Sequence, residues 1–254
     1  MKHPFHNVMT TRFKFRVMDS LLPKKHLGKV LDIGCGAGYI IFRLDKHFDE
    51  LYGIDMSEKS IALAKTLSRA NFQVANAEKL PFSDAMFDCV VSTDAFEHIP
   101  DDKAAVKEVK RVLKPGGTFA IYVPTTVGLF SKSRWVDLFH TDQTSYLLDQ
   151  RYYTEDSLKS LVQGAGFQVI AYGYHDVFFQ ELFTQFLKWI GFKLGKQYAH
   201  QADIGAFTQS KLYKIYRYLV FPVIFVLVRT EELICEKIFR SKIPGHRLFM
   251  VCRS

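Results

Sequence analysis

Short apolar runs alternate with amphipathic stretches along most of residues 28–172. Runs rich in β-branched and aromatic residues predict strands, and apolar positions that recur every three or four residues predict helices. The predicted strands lie at about 29–33, 51–55, 72–75, 87–92, 118–123, 167–172 and 246–252. The predicted helices lie at about 8–22, 38–48, 57–67, 101–113 and 154–164. Because strands and helices alternate at short spacing, an α/β protein with a parallel sheet covered on both faces is predicted.

A single domain is predicted for residues 1–254, since this length suffices for one large α/β domain with an insertion. Residues 1–25 contain the first helix, which is expected to cover a bound cofactor, and residues 174–244 form a helical insertion between strands six and seven. Right-handed crossovers place the carboxyl ends of parallel strands along one edge, where ligands bind in a crevice.

The run from Val30 to Gly38 carries the strongest chemical signal in the chain. An apolar strand leads to Asp32, and glycines follow at positions 34, 36 and 38. Glycine tolerates positive φ and has no Cβ to keep a ligand from the backbone. A carboxylate beside bare N–H groups and the start of a helix favours a ligand that carries both an ammonium and a carboxylate. A tight turn without a ligand is the alternative.

The composition and the amino-terminal residues bear on metal binding, disulfide bonds and cellular location. The four cysteines are far apart and form no CxxC pair, so neither a zinc site nor a disulfide framework is indicated. No carboxylate or histidine cluster with metal-ligand spacing is present in the sequence. The amino-terminal residues lack an apolar core of signal-peptide length. A cytoplasmic location is therefore expected, with a peripheral position at the cytoplasmic face of a membrane as a further possibility.

Positive charge is concentrated in the last third of the chain. The whole chain has a net charge of +8, and residues 173–254 hold 12 lysines and arginines against 6 acidic residues. The longest apolar run lies in the same third, and this combination favours an anionic membrane surface over a nucleic acid. A solvated basic face on a helical insertion is the alternative.

Five sequence blocks resemble the class I S-adenosylmethionine (SAM)-dependent methyltransferases, of the small single-domain type that includes quinone and sterol methyltransferases. The blocks occur in the family's order and cover about residues 28–172 and the last strand. They are Val30–Gly38, Leu51–Ser57, Asn76–Asp88, Ala95–Asp101 and Leu113–Gly117. The resemblance implies a Rossmann-like fold of seven strands, in which strand seven is antiparallel and inserted between strands five and six. It also implies SAM as cofactor and S-adenosylhomocysteine (SAH) as product.

The same resemblance assigns a role to each matching residue. It implies that Asp32 orients the methionine ammonium, and that the turn of Gly34, Cys35, Gly36 and Gly38 lets the backbone approach the cofactor. Asp55 takes the two ribose hydroxyls, since two carboxylate oxygens match two adjacent donors; capping of the next helix is its alternative. For the base, the implied contacts are the Met56 thioether, with core packing as its alternative, the Asn76 carbonyl oxygen and the Ala77 N–H. Thr93, after strand four, completes the implied set.

A dinucleotide is the rival cofactor for this turn. Its fingerprint, GxGxxG, requires a glycine where this chain has Tyr39. The third glycine comes one residue early, and an acid precedes the first, so the pattern favours SAM over NAD.

Methyl transfer from a sulfonium needs a base only when the acceptor must lose a proton. His98, just beyond strand four, is the first candidate, and His140, in the loop after strand five, is the second. A structural hydrogen-bonding role is the alternative for each histidine.

The composition of the insertion gives an indication of which molecule accepts the methyl group. Residues 177–229 are rich in aromatic and apolar residues, and their longest apolar run, 219–228, is half the length that a membrane span requires. One hypothesis is methylation, on oxygen, of a hydrophobic or membrane-associated small molecule, with 177–229 in peripheral contact with the membrane. A second is a soluble small molecule or sugar as acceptor, with the insertion as a lid or a homodimer surface. A third is a non-catalytic SAM-binding scaffold. No nucleic acid partner is expected.

Overall fold

Seven strands form a single sheet in the order β3-β2-β1-β4-β5-β7-β6. Strands β1 to β5 pair in parallel, and β7 runs antiparallel between β5 and β6. The predicted Rossmann-like sheet, with its antiparallel strand between strands five and six, is thus confirmed. The computed structural model describes residues 27–125, 151–175, 218, 222, 223, 226, 227, 230, 233, 245 and 247–254.

The element bounds follow the predicted alternation. The strands are β1 (Leu27–Ile33), β2 (Phe48–Asp55), β3 (Asn71–Val74), β4 (Phe87–Thr93), β5 (Leu113–Pro124), β6 (Gln168–His175) and β7 (Arg247–Arg253). The helices are α1 (Tyr39–Leu44), α2 (Glu58–Leu67), α3 (Asp102–Val112) and α4 (Glu155–Gly164), and a 3-10 turn spans Phe96–His98. The predicted helix at 8–22 and the 1–25 segment around it lie outside the described residues, as does most of the 174–244 insertion.

Two predicted boundaries are wrong. The helix expected over 38–48 ends at Leu44, and Phe48 begins β2 with its side chain buried in the core. Strand five begins at Leu113, immediately after α3, so it includes the Pro-Gly-Gly turn that was expected to precede it. The pairing of β4 with β5 changes register across this turn, from Phe87 opposite Leu113 to Cys89 opposite Thr118.

Side-chain caps fix where three helices begin. Ser57 and Thr154 cap α2 and α4, since their side chains accept hydrogen bonds from Ser60 N–H and Ser157 N–H. Asp101 caps α3 by accepting from Ala104 N–H at 2.9 Å. Asp101, and neither Asp94 nor Glu97, is therefore the cap of this helix. Asp94 and Glu97 remain at the carboxyl edge of the sheet, hereafter the rim.

Apolar side chains fill both faces of the sheet. On one face Leu31 and Ile33 pack with residues of α3 and α4, and on the other Val30 packs with residues of α1 and α2. Because side chains alternate along a strand, Asp32 projects to the same face as Val30. The sequence thus places a carboxylate within an apolar layer at the rim.

Arg111, on α3, secures the loop that precedes β4. Its guanidinium donates to the carbonyl oxygens of Leu80 and Phe82 at 3.0 and 2.8 Å, and it contacts the carboxylates of Asp84 and Glu108 at 2.7 Å each. The planar guanidinium carries several N–H donors, and its geometry suits carbonyl and carboxylate acceptors. The 76–84 segment is therefore held against α3.

Candidate functional site

The glycine turn after β1 is built by positive φ values and by hydrogen bonds to β2. Gly34, Gly36 and Gly38 have φ of 73°, 51° and 78°. The N–H groups of Gly34 and Cys35 both donate to Ile54 O at 2.9 Å. A Cβ on Gly34 would lie 2.2 Å from the Cβ of Ala95. The loop after β4 therefore closes on this turn as only a glycine permits.

Asp32 is a buried carboxylate, only 1% exposed, and within the part of the chain that the structure describes neither of its oxygens has a hydrogen-bond partner. Burial, together with the nearby charge of Asp55, raises the pKa of Asp32 well above its ordinary value. A buried carboxylate is costly unless a cation or hydrogen-bond donors compensate it. This position therefore favours a positively charged group of a ligand.

Asp55 joins the ends of β1 and β2. Its Oδ2 accepts from Gly36 N–H and its Oδ1 from Ser57 N–H, both at 2.9 Å. Ser57 caps α2, so the capping alternative for Asp55 is wrong. Each carboxylate oxygen can accept more than one hydrogen bond. Asp55 is therefore positioned to accept from a pair of ligand hydroxyls while it holds the turn.

The residues expected to meet a base lie beside Asp55, after β2 and β3. The Met56 side chain is 68% exposed, which excludes the core-packing alternative. Asn76 Oδ1 accepts from Glu78 N–H at 2.9 Å, and Ala75 N–H donates to Asp55 O at 3.2 Å. Ala77, the next residue, is buried. An apolar surface and amide groups thus share this part of the rim.

Cys35 and Thr93 occupy different surroundings. The Cys35 side chain is buried, and burial raises the pKa of its thiol. A Cβ on Gly53 would lie 2.9 Å from its sulfur. Cys35 therefore faces the protein, and only its backbone faces the turn. Thr93 is half-buried at the end of β4.

The structure describes one of the two candidate general bases. His98 is exposed at the end of the 3-10 turn beyond β4, and its backbone N–H donates to the backbone carbonyl of Ala95 at 3.0 Å. It therefore lies on the rim past the glycine turn, on the side away from Asp55. His140 lies outside the described residues.

Sequence reasoning missed a cluster that closes the rim past β4, which we call the clasp: Asp102, Arg151 and Tyr153. Arg151 Nη1 lies 2.8 Å from Asp102 Oδ2, and the buried Tyr153 hydroxyl donates to the same oxygen at 2.9 Å. Burial is the main cause that raises the pKa of Tyr153. Asp102 lies about 50 residues before Arg151 and Tyr153, so periodicity could not bring them together; the local signal was an Arg and a Tyr shortly before the helix cap Thr154.

The clasp and the sheet register place both ends of two long segments at this part of the rim. Thr125 bridges Tyr153, so the 126–150 segment leaves and returns at adjacent points. His175 pairs with Arg247 across β6 and β7, so the 176–246 segment does the same. The rim thus has a half at β2 and β3 that presents Asp55 and Met56, and a half at β4, β5 and β7 from which both segments depart.

These residues fit the cofactor that the sequence resemblance implied. The orphaned Asp32 carboxylate suits an ammonium, the turn admits a close backbone approach, and the exposed Met56 offers a face for a base. The charges of Asp32 and Asp55 together favour a cationic ligand over a pyrophosphate. Within the ranges that the structure describes, no three His, Cys, Asp or Glu residues are grouped to hold a metal ion. In those same ranges, no helix has the length and hydropathy to cross a bilayer.

Comparisons with known proteins agree with this geometry. The family described as "Methyltransferase domain" matches residues 31–121. Those residues run from β1 through most of β5 and include the glycine turn, Asp55 and Asn76. A SAM-dependent methyltransferase structure from Methanosarcina mazei is similar, with a TM-score of 0.52 and 25% identity; it covers 63% of this chain and 88% of its own.

Two curated relatives are more similar in sequence. A ubiquinone biosynthesis O-methyltransferase of Coxiella burnetii is 32% identical over 139 residues, 49% of this chain and 58% of that protein. A 27-O-demethylrifamycin SV methyltransferase of Amycolatopsis mediterranei is 35% identical over 132 residues, 47% of this chain and 48% of that protein. The chain therefore spans about half the length of these curated relatives.

Proposed function

We propose that this chain, which belongs to the class I SAM-dependent methyltransferases through its domain at residues 31–121, methylates an oxygen atom of a hydrophobic small molecule. The observation that carries the methyl transfer is the unpartnered Asp32 carboxylate, buried beside a glycine turn that is hydrogen-bonded to Asp55. The choice of oxygen is supported by the two curated relatives, whose names both specify O-methylation.

SAM, when bound, supplies a methyl group that its sulfonium charge already activates. The chain's own residues then have three tasks. Asp32 and Asp55 hold the two ends of the cofactor, and the 94–95 loop fixes the turn between them. His98, exposed at the rim, accepts the proton of an acceptor hydroxyl.

The test of this function has two stages. SAH binding is measured by calorimetry and thermal shift, and a ligand that binds only the native state raises its melting temperature. Extracts of lipids and of water-soluble compounds are then incubated with enzyme and SAM, and mass spectrometry searches for a species that gains one CH2. Absence of SAH binding would contradict the function. A product only in the water-soluble extract would support the soluble-acceptor hypothesis.

A membrane location for the acceptor is supported by an exposed apolar helical face, which we call the 218–233 face. Tyr218, Val223, Val226, Leu227 and Leu233 are between 39 and 68% exposed. Val223 lies three residues before Val226 and four before Leu227, and Leu233 lies seven after Val226, so these four residues fall on one side of a helix. Residues 204–230 contain Lys211, Lys214, Arg217 and Arg229 and no acidic residue. Glu231 and Glu232 lie just before Leu233, so the cations flank the part of this face from Tyr218 to Leu227, and apolar side chains beside cations match an anionic lipid surface.

We expect the Val226→Glu variant to bind anionic vesicles about tenfold more weakly than the native chain, because one buried valine contributes about 1.5 kcal/mol or more. The measurement is flotation with vesicles of phosphatidylcholine, with and without phosphatidylglycerol. Ile170→Glu is the matched control, since Ile170 is 52% exposed but lies on β6. Equal flotation of the two variants, or no flotation of the native chain, would refute the membrane contact. A dimer in sedimentation that V226E dissociates would instead support a homodimer surface.

A further inference from the structure

The side chain of Asn76, in the β2–β3 half of the rim, is held by Glu78. Asn76 Oδ1 accepts from the backbone N–H of Glu78 at 2.9 Å, and Asn76 Nδ2 donates to Glu78 Oε2 at 3.3 Å. The backbone carbonyl of Asn76 also accepts from Lys79 N–H at 3.2 Å, so a turn begins at this residue. Asparagine side chains commonly bond the backbone two residues ahead in such turns. Both ends of the Asn76 amide are therefore held by the same residue.

These two hydrogen bonds decide which way the Asn76 amide points. If its two ends were exchanged, the NH2 group would face the Glu78 N–H and the oxygen would face the Glu78 carboxylate. The first contact brings two donors together, and the second brings two acceptors together. The two orientations of an amide have nearly the same shape, so hydrogen bonding alone chooses between them. Glu78 thus excludes the reversed amide.

The Glu78 carboxylate is held from its other side by α3. Its Oε1 accepts from the backbone N–H of Asp101, the cap of α3, at 2.9 Å. Because a backbone N–H donates in one fixed direction, Glu78 has to present an oxygen there and its second oxygen to Asn76. A carboxylate has two acceptor oxygens, whereas the amide of a glutamine has one acceptor and one donor. Position 78 therefore requires an acid if both neighbours are to be satisfied.

Asn76 lies where the nucleoside base of the cofactor is expected. Ala75 N–H donates to Asp55 O at 3.2 Å, so Asn76 directly follows the strand end that pairs with Asp55. The Asn76 side chain is exposed, as is that of Met56 on the neighbouring strand end. A carbonyl oxygen has two lone pairs, so Asn76 Oδ1 can accept a second hydrogen bond while it holds the Glu78 N–H.

We propose that Glu78 is a positioning residue that makes this site select adenine over a 6-oxo purine, because it fixes the Asn76 amide with its oxygen as the acceptor for the base. The inference rests on the proposed function and deepens it at the cofactor-binding half of the rim. Adenine carries a 6-amino donor, and hypoxanthine carries a 6-oxo acceptor at the same place. A fixed acceptor in the site complements the first and opposes the second. Glu78 acts through Asn76 and does not itself touch the base.

The test compares two ligands by calorimetry: SAH, and S-inosylhomocysteine, which carries hypoxanthine in place of adenine. The ratio of their dissociation constants measures the preference for adenine. In Glu78→Gln the glutamine oxygen stays with Asp101 N–H, and its NH2 group faces Asn76 Nδ2. The Asn76 amide then loses the partner that orients it. We expect the preference for SAH to fall roughly tenfold, the usual effect of one hydrogen bond made or left unpaired.

The Asn76→Asp background separates positioning from general support of the fold. An aspartate presents an oxygen to the base in either orientation, so it needs no residue to orient it. Its second oxygen can accept from the NH2 group of a glutamine at position 78. We therefore expect Glu78→Gln to leave the preference for SAH unchanged in the Asn76→Asp background. A tenfold loss that Glu78→Gln causes in both backgrounds would overturn the inference.

Glu108→Gln is the matched control. Glu108 Oε2 accepts from Leu80 N–H at 2.8 Å, so this variant loosens the same 76–84 segment without reaching Asn76. It should weaken both ligands alike, and chemical unfolding measures its stability beside that of Glu78→Gln. An equal loss of preference in both variants, or native protein that binds both ligands equally, overturns the inference alone. Native protein that binds neither ligand contradicts the proposed function, and the inference with it.

Discussion

The Asp32→Asn variant is expected to bind SAH at least about a hundredfold more weakly than the native chain, while its ligand-free form becomes more stable. The binding loss follows because the ammonium group of SAH would lose a buried, charged partner. Breaking such a pair costs roughly 3 kcal/mol or more. The gain in stability follows because the native carboxylate is buried without a partner. Calorimetry with SAH and chemical unfolding of the ligand-free protein measure the two effects.

The stability effect depends on pH in a direction that the burial of Asp32 sets. Burial, and then the charge of Asp55, raises the pKa of Asp32 in the folded state above that in the unfolded state. The folded state then binds the proton more tightly, so its stability falls as pH rises from the unfolded-state pKa to the folded-state pKa. Asparagine cannot ionise, so we expect the advantage of the variant to appear across this window and to persist above it.

Asp88 provides a matched control on the neighbouring strand. Its carboxylate accepts from Lys29 N–H at 2.8 Å and contacts Lys114 Nζ at 2.8 and 2.9 Å. Although burial opposes it, Lys114 and the Lys29 N–H lower the pKa of Asp88. Asp88→Asn should therefore destabilise the protein at neutral pH, less so in acid, without weakening SAH binding. A ligand-free Asp32→Asn protein that is less stable than the native chain would contradict the account of Asp32.

Local patterns sufficed to predict the parts of the fold that depend on neighbours in the sequence. Apolar runs separated by polar residues and glycines predicted all seven strands, and the helices predicted at 57–67 and 154–164 begin at the Ser57 and Thr154 caps because capping acts over three residues. The boundary at Phe48 was missed because one apolar residue fits the inward face of a helix as well as a buried strand. Sequence spacing does not decide between them; packing does.

The two halves of the candidate site also differ in how well the sequence predicts them. The residues of the β2–β3 half follow strand ends directly, so parallel topology alone brings Asp55, Met56 and Asn76 together. The other half depends on pairings such as Asp94 with Arg247, which are more than 150 residues apart and meet only because β7 is inserted beside β5. No periodicity encodes such a contact. The β4–β5–β7 half of the rim is therefore harder to predict from sequence than the β2–β3 half.

The Gly34→Ala variant is expected to lose about 2–5 kcal/mol of unfolding free energy, because two penalties combine at this position. Its φ of 73° disfavours any L side chain, and the new Cβ would lie 2.2 Å from the Cβ of Ala95. Gly116→Ala isolates the first penalty, since Gly116 has the same φ of 73° and nothing within 4 Å of its Cβ position. Its cost should be about 1–2 kcal/mol.

The second penalty is measured by adding Ala95→Gly, which removes the atom that the new methyl group meets. The double variant should recover about 1–3 kcal/mol relative to the sum of the single variants, a coupling typical of residues in contact. SAH affinity should fall in Gly34→Ala and return in part in the double variant, since the turn and the 94–95 loop move together. Equal unfolding free energies for Gly34→Ala and Gly116→Ala would show that the turn needs glycine for its φ alone, and that the loop after β4 is not what fixes the cofactor site.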